Sequence, residues 1–139
     1  MFTVPSILGI VLFVAIKFAG YRYAGVWLNL GFSNPALTNP NIFGAVRTVL
    51  GIAIGTAFGY TVAMMDIRHG MVSWYVLLFP CRFLEWLFVL WVFYERKVVS
   101  PDRVRWLKFS LYGTLWSYAL DVVTAIVLLV VPGTVISEC

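Results

Sequence analysis

The stretch that decides the fold is residues 71–94, MVSWYVLLFPCRFLEWLFVLWVFY. It is long enough to cross the hydrocarbon core of a bilayer, which takes about 20 mostly apolar residues in a helix. Arg82 and Glu85 lie near its centre. An ionised side chain at that depth is costly, so it normally faces a partner or a wet cavity. The stretch therefore predicts a membrane helix with one polar face.

Three further apolar runs resemble this one in length. The sequence predicts four membrane helices in all, at about 4–19, 42–65, 71–94 and 109–131. Of the 139 residues, 62% are hydrophobic and only 12% are charged, whereas soluble domains are about 45–50% apolar and about 25% charged. A soluble fold of this length cannot bury so much apolar surface. We therefore expect an all-α integral membrane protein, a small four-helix bundle forming a single domain over residues 1–139.

The basic residues indicate how the bundle is oriented. Seven of them lie in or beside the first and third connections, namely Lys17, Arg22, Arg96, Lys97, Arg103, Arg105 and Lys108. The second connection and the tails contain only Arg68. Because positive residues collect on the cytoplasmic side, residues 95–108 are expected to form a cytoplasmic basic loop. Both termini should then lie on the non-cytoplasmic side, in a prokaryotic-type inner (cytoplasmic) membrane.

The segment after the first run is expected to leave the membrane early. Lys17 lies near the end of that short run and is expected to extend to the interface, as long basic side chains do. Residues 27–41 contain two Asn-Pro steps, which favour extended or turn geometry. We expect a structured loop there, with a short interfacial helix around residues 24–30.

The fourth run carries a polar stripe. Its polar residues recur at intervals of three and four positions and so share one face of a helix; they are Ser110, Thr114, Ser117, Asp121 and Thr124. A stripe containing Asp121 is unfavourable against lipid. It is therefore expected to face the interior of the bundle.

Asp121 and Arg82 are expected to meet. At helical rise, Asp121 lies roughly 18 Å and Arg82 roughly 16 Å from the start of its own span, and the two spans run in opposite directions. Arg82 can also reach Glu85 within its helix, and Arg47 in the second span can approach Glu85. The sequence thus predicts an intramembrane polar network of Arg47, Arg82, Glu85, Ser117 and Asp121. It is either a structural ion network that sets helix order, or the lining of an ion path or headgroup site.

The second run carries small residues at every fourth position. Gly51, Gly55, Gly59 and Ala63 fall on one side of a helix. Small residues let another backbone approach closely, which is a main source of helix association in lipid. We interpret this face as a helix-docking surface, for a helix of this chain or of another subunit.

Catalytic and metal-binding motifs are missing from the sequence. It contains no His/Cys metal spacing and no catalytic set. Cys81 lies mid-span and Cys139 ends the chain, so a disulfide between them is not expected. His69, the single histidine, is a weak candidate ligand for a haem or a chlorin. No cofactor is predicted, although a pigment, a haem or a quinone stays an open alternative.

These features favour a non-catalytic multi-pass membrane protein, acting as an accessory or assembly subunit of a larger complex. Its expected partners are the bilayer and other membrane-protein subunits or further copies of itself. The net charge of +4 does not indicate nucleic acid, because the basic residues cluster beside membrane spans. A small ion- or proton-coupled transporter or channel is the alternative function. A lipid-processing membrane enzyme is the third.

Overall fold

The described part of the chain folds mainly as four long helices. The computed structural model describes residues 3–32, 38–64, 71–94, 96, 102–131 and 135–137. Its helices are α1 (Ile7–Gly31), α2 (Pro40–Met64), α3 (Met71–Phe93) and α4 (Arg103–Val130). Each helix is long and apolar enough to cross a membrane. These four helices support an integral, multi-pass membrane protein, as the composition predicts.

The helices pack side by side into a bundle. α1 contacts both α2 and α4, and α3 contacts both α4 and α2. Large apolar side chains cover the outside of the bundle; examples are Ile7, Leu30, Val49, Val76, Leu84 and Leu129. Such a surface is unfavourable in water and favourable in lipid. The apolar outer surface is thus consistent with a protein that is surrounded by lipid.

A two-stranded ribbon joins the two ends of the bundle. β1 (Thr3–Pro5) precedes α1, β2 (Val135–Ser137) follows α4, and the strands pair antiparallel with Val4 opposite Ile136. No pattern in the sequence predicts this ribbon. Consecutive helices alternate in direction, so the segments before α1 and after α4 meet at one end. We call this the ribbon end, and the opposite end, where α4 begins, the basic end.

The first helix is longer than the sequence suggested. α1 continues to Gly31, well past the predicted end near residue 19, and no separate interfacial helix forms over residues 24–30. Tyr21, Ala24 and Leu28 recur at helical spacing and are all buried in the core, which stabilises a continuous helix. The proposed loop is therefore confined to residues after Gly31. Lys17 lies within the helix and not near its end.

The fourth helix begins earlier than predicted. α4 starts at Arg103, so residues 103–108 are helical and do not belong to the basic loop. The Asp102 carboxylate accepts hydrogen bonds from the backbone N–H groups of Val104, at 3.0 Å, and Arg105, at 3.3 Å. This N-cap satisfies donors that have no partner within the helix. Arg103, Arg105 and Lys108 thus project from the first turns of α4.

Candidate functional site: the intramembrane charge cluster

Five charged side chains meet in the interior of the bundle. We call them the charge cluster: Lys17 of α1, Arg47 of α2, Arg82 and Glu85 of α3, and Asp121 of α4. Four of them are buried, and the Asp121 side chain is 17% exposed. All four helices contribute at least one member. The cluster therefore couples the rotation and depth of every helix in the bundle.

Glu85 links the two arginines. Its Oε2 lies 2.8 Å from Arg47 Nη2 and 3.3 Å from Arg82 Nη1. The Glu85 side chain is only 1% exposed, so water cannot replace either partner. A buried carboxylate needs such partners, because losing one leaves an uncompensated charge. Glu85 is therefore held on two sides, by α2 and by its own helix.

Asp121 pairs mainly with Lys17, which was expected to extend to the membrane interface. Lys17 Nζ donates to Asp121 Oδ1, whereas Arg82 Nη2 approaches Asp121 Oδ2 only to 4.0 Å. Lys17 is 4% exposed and does not extend to the interface. The misplaced end of α1 explains the difference, since a longer helix moves Lys17 to the depth of Asp121. The apolar residues that continue after Ala19 were the sequence signal that could have predicted the longer helix, and with it the depth of Lys17.

The Ser117 hydroxyl accepts hydrogen bonds from several side chains around the charge cluster. Its Oγ accepts hydrogen bonds from Trp86 Nε1 at 2.9 Å, from the Tyr21 hydroxyl at 3.2 Å and from Arg47 Nη2 at 3.4 Å. The Arg47 guanidinium also lies 4.9 Å from the ring centres of Tyr21 and Trp86. Cation–π contacts of this kind stabilise a buried guanidinium. Arg47 is thus enclosed by aromatic rings, a hydroxyl and a carboxylate.

The other members of the α4 stripe have a local role. Ser110, Thr114 and Thr124 are buried, and each hydroxyl donates to the carbonyl four residues earlier in its own helix. Such bonds satisfy a hydroxyl without a partner on another helix. Only Ser117 and Asp121 of the stripe connect α4 to the charge cluster through hydrogen bonds or ion pairs that the structure describes.

The basic-end half of the interior contains the aromatic core of the bundle. Leu28, Phe43, Trp86, Leu90 and Tyr94 are each at most 1% exposed and form one apolar core. The Tyr94 hydroxyl donates to the Gly25 carbonyl at 3.2 Å.

The ribbon-end half contains a cavity. It has a volume of about 490 Å³, is open to the surroundings of the bundle, and has Arg82 and Asp121 in its wall. The remaining wall is mostly apolar or small, with three hydroxyl-bearing residues: Phe13, Gly51, Ile52, Gly55, Thr56, Trp74, Tyr75, Leu78, Thr124, Ala125 and Leu128. We call this the polar cavity. A mostly apolar wall with a few convergent polar groups is typical of ligand sites.

A second cavity of similar volume has a different character. It lies between α1 and α4 and is lined by aromatic and small residues, among them Tyr23, Trp27, Trp86 and Trp116. Among the described residues that line it, none is charged. The polar cavity is therefore the better candidate for a site that recognises a charged group.

The charge cluster carries more positive than negative charge. Lys17, Arg47 and Arg82 are three cations, against the two carboxylates of Glu85 and Asp121. Several buried polar atoms also have no hydrogen bond within the described residues, namely Arg47 Nε and Nη1, Arg82 Nε, Glu85 Oε1 and Asp121 Oδ2. Buried polar atoms are normally satisfied by protein, water or an ion. The charge cluster thus carries a net positive charge and contains hydrogen-bond donors that have no partner among the described residues.

The predicted docking face lies mostly inside the bundle. A Cβ added at Gly51 would contact the guanidinium groups of Arg82 and Arg47, at Gly55 that of Arg82, and at Gly59 the ring of Trp74. Ala63 is exposed. The three glycines thus face side chains of this chain: Gly51 and Gly55 provide room for the two arginines, and Gly59 faces Trp74.

Two further sequence features concern cofactors. His69, the weak haem candidate, lies outside the described residues. Within the part of the chain that the structure describes, no group of three or more His, Cys, Asp or Glu side chains could hold a metal ion. Cys81 lies in α3, is partly buried and is free.

Comparison with known proteins gave no relative. No protein-family model, no curated protein and no solved structure matches this chain.

Proposed function

We propose that this chain is a small ion transporter of the multi-pass membrane class, which receives a negatively charged solute in its polar cavity. The observation that carries the proposal is the position of Arg82 and Asp121 in the wall of a cavity of about 490 Å³. Intramembrane ionisable residues beside a cavity commonly mark solute paths. The excess positive charge of the cluster favours an anion over a cation.

The asymmetry of the interior favours a transporter over an open channel. The polar cavity lies on the ribbon-end side of the charge cluster, and the aromatic core lies on the other side, where the second cavity has no charged residue among its described lining. Transporters expose a site near the membrane midplane to one side at a time. In this interpretation the solute contacts Arg82 and Asp121 in the cavity wall. A rigid layer of polar side chains lies behind them, formed by Arg47, Glu85 and Ser117.

Chemistry on a lipid is not proposed. The polar cavity is lined by no histidine or cysteine among the described residues, and its single carboxylate, Asp121, is paired with Lys17. Hydrolytic or transfer reactions need an activated nucleophile with an adjacent base. That requirement favours a solute-binding role over the enzyme alternative.

Accessibility of the cavity to water is the first test. In a variant with both native cysteines replaced by serine, Thr124→Cys should react with a membrane-impermeant, negatively charged thiol reagent, because thiols react as hydrated thiolates. Val123→Cys is the matched control, since Val123 is adjacent on α4 and is 47% exposed on the apolar exterior. We expect it to stay unlabelled. Equal labelling of both, or of neither, would contradict a wet cavity.

Ion flux is the second test. Liposomes containing the purified protein and potassium chloride should release chloride into gluconate buffer after valinomycin is added, and Arg82→Gln should abolish the release. Arg96→Gln is the control, because it removes the same charge from an exposed arginine outside the cluster. Efflux no faster than from protein-free vesicles would contradict transport.

An accessory or assembly role is a second proposal, supported by a different surface from the one the sequence indicated. Ala45, Ala53 and Ala57 recur on the exposed side of α2, where small residues permit close approach of another helix. A stoichiometric membrane-protein partner that copurifies in mild detergent, and is lost in Ala53→Leu, is the expected result. Retention of the partner in that variant would exclude this surface.

The orientation is also a proposal. Arg96, Arg103, Arg105 and Lys108 are exposed at the basic end, and the positive-inside rule would place that end in the cytoplasm. Both termini would then lie outside a prokaryotic-type inner membrane, and the polar cavity would lie in the outer half of the bilayer.

A further inference from the structure

The second cavity lies between α1 and α4 and is walled by aromatic side chains of both helices. The rings of Tyr23 and Trp116 have centres 5.9 Å apart, and those of Trp27 and Tyr112 have centres 6.2 Å apart. Trp86, which is 1% exposed, completes the wall on the inner side. The volume of about 490 Å³ falls within the range of ligand sites, about 300–1,000 Å³. The second cavity is therefore large enough to hold a molecule.

The second cavity opens to the apolar exterior of the bundle. Tyr23 is 63% exposed and Leu115 is 53% exposed, and both line it. Two indole N–H groups of the wall are already bound within the protein, since Trp116 Nε1 donates to a carbonyl of α1 and Trp86 Nε1 donates to Ser117 Oγ. The wall thus offers mainly apolar contact, which suits a hydrocarbon chain better than a ring that carries carbonyl groups.

Two basic residues continue the cavity face of α4 towards the basic end. Tyr112 and Ala119 line the second cavity, and Arg105 and Lys108 precede them at spacings that keep all four on one face of the helix. All four are exposed. Arg105 Nε lies 3.9 Å from Asp102 Oδ2, whereas Lys108 has no ion pair in the described part of the chain. This face therefore combines an apolar cavity with an available positive charge.

The length of this face matches one leaflet of a bilayer. At about 1.5 Å rise per residue, Lys108 and Ala119 lie roughly 16 Å apart along α4. Half of a hydrocarbon core of about 30 Å is about 15 Å. A molecule that contacts both residues is therefore as long as a lipid in one leaflet, with an anionic group at Lys108 and an apolar chain that reaches the middle of the bilayer.

We propose that the second cavity binds an acyl chain of one anionic phospholipid, whose phosphate is held by Lys108 and Arg105. Basic residues beside membrane helices attract anionic lipids, and basic pockets between helix ends bind their headgroups. A sterol or a quinone would occupy the cavity without using these charges. The inference is independent of the proposed transport function, because the site uses neither the charge cluster nor the polar cavity.

Binding of defined lipids to the delipidated protein in detergent tests the site. In native mass spectrometry, one phosphatidylglycerol per chain should bind more tightly than phosphatidylcholine with the same chains. Lys108→Gln should weaken phosphatidylglycerol binding about fivefold, the effect of one basic residue near an anionic lipid. Arg103→Gln is the matched control, because it removes the same charge about 140° away around α4. Ala119→Phe should prevent binding by filling the cavity, whereas Ala45→Phe, at an exposed alanine of α2, should not.

Two outcomes of this experiment would overturn the inference. Equal binding of the two lipids would mean that the cavity accepts any apolar chain or ring. Equal losses in Lys108→Gln and Arg103→Gln would mean general attraction of charge, with no defined position for the phosphate. Unchanged binding in Ala119→Phe would place the lipid elsewhere on the bundle.

Fluorescence quenching locates the chain even if Ala119→Phe does not fold. In phosphatidylcholine vesicles, a small fraction of phosphatidylglycerol brominated on its chains should quench the protein more than the same fraction of brominated phosphatidylcholine. Trp27→Phe combined with Trp116→Phe should remove this difference. Trp91→Phe should retain it, because Trp91 is 44% exposed, much as Trp27 is, but lies on α3 outside the cavity. The same difference in both variants would exclude the second cavity.

Discussion

At the scale of single residues, the partner of each charge decides what the cluster does. Glu85 is held between Arg47 and Arg82 and is closed off from the cavity. Asp121 is partly exposed, lines the polar cavity and is paired with Lys17. The cluster therefore combines both interpretations drawn from the sequence. Its inner members support a structural ion network, and its outer members support a role in solute binding.

The first prediction concerns the partner of Asp121. Asp121→Asn should destabilise the protein, because breaking a buried pair leaves Lys17 uncompensated, and such losses reach about 3–5 kcal/mol when both groups are fully buried. Partial exposure of Asp121 should keep the loss below that range. The double variant Lys17→Gln with Asp121→Asn should recover part of the loss, measured by thermal unfolding in detergent. The matched double variant Arg82→Gln with Asp121→Asn should recover less. A larger recovery of stability in the Arg82 double variant than in the Lys17 double variant would make Arg82 the main partner of Asp121.

At the scale of helices, the closest approach occurs at glycines outside the regular series. A Cβ at Gly44 of α2 would lie 2.9 Å from the backbone nitrogen of Arg22 in α1, and one at Gly25 would lie 3.3 Å from Pro40 Cα. Dispersion contacts between backbones are strongest where side chains are missing. The α1–α2 contact thus depends on these two glycines, whereas Gly51, Gly55 and Gly59 face side chains.

The second prediction uses this difference. Gly44→Ala should lower the stability of the bundle by about 1–3 kcal/mol, the usual cost of overpacking, because the backbone of Arg22 cannot move as a side chain can. Gly55→Ala should change stability little, since its new Cβ would meet only the end of the Arg82 side chain. Denaturation in increasing sodium dodecyl sulfate, followed by circular dichroism, measures both. Equal stability of the two variants would mean that α1 shifts freely against α2.

At the scale of the whole molecule, the bundle is divided across its middle by the charge cluster. The basic-end half contains the aromatic core and the uncharged second cavity, and the ribbon-end half contains the polar cavity. The excess of exposed arginine and lysine lies at the basic end. A consistent orientation in the membrane would give the cavity access to one side only.

The third prediction tests that orientation. Cys139 should react with an impermeant thiol reagent added to intact cells, because the basic residues favour a cytoplasmic location for the opposite end. The experiment uses a Cys81→Ser background, so that the partly buried thiol in α3 cannot contribute. Labelling only after the cells are lysed would reverse the orientation, and would place the polar cavity in the inner half of the bilayer.

The sequence by itself determined the properties that depend on composition and spacing along the chain. Run length and hydropathy predict four membrane helices, and the four described helices are long and apolar enough to cross a bilayer. The stripe on α4 is buried except at Asp121, as its helical spacing indicates. These features can be predicted for each helix separately, because a polar face is unfavourable in lipid whichever neighbouring helix it packs against.

Only the tertiary structure decided which side chains meet. Lys17 became the partner of Asp121 because α1 extends to Gly31, which moves its middle relative to α4. Gly51 and Gly55 of α2 face the guanidinium groups of Arg47 and Arg82, whose bulk is accommodated where those side chains are missing. Contacts between helices depend on axial offset and rotation, which are set by packing against several neighbours at once. The polar cavity arises from those offsets, so no single stretch of sequence encodes it.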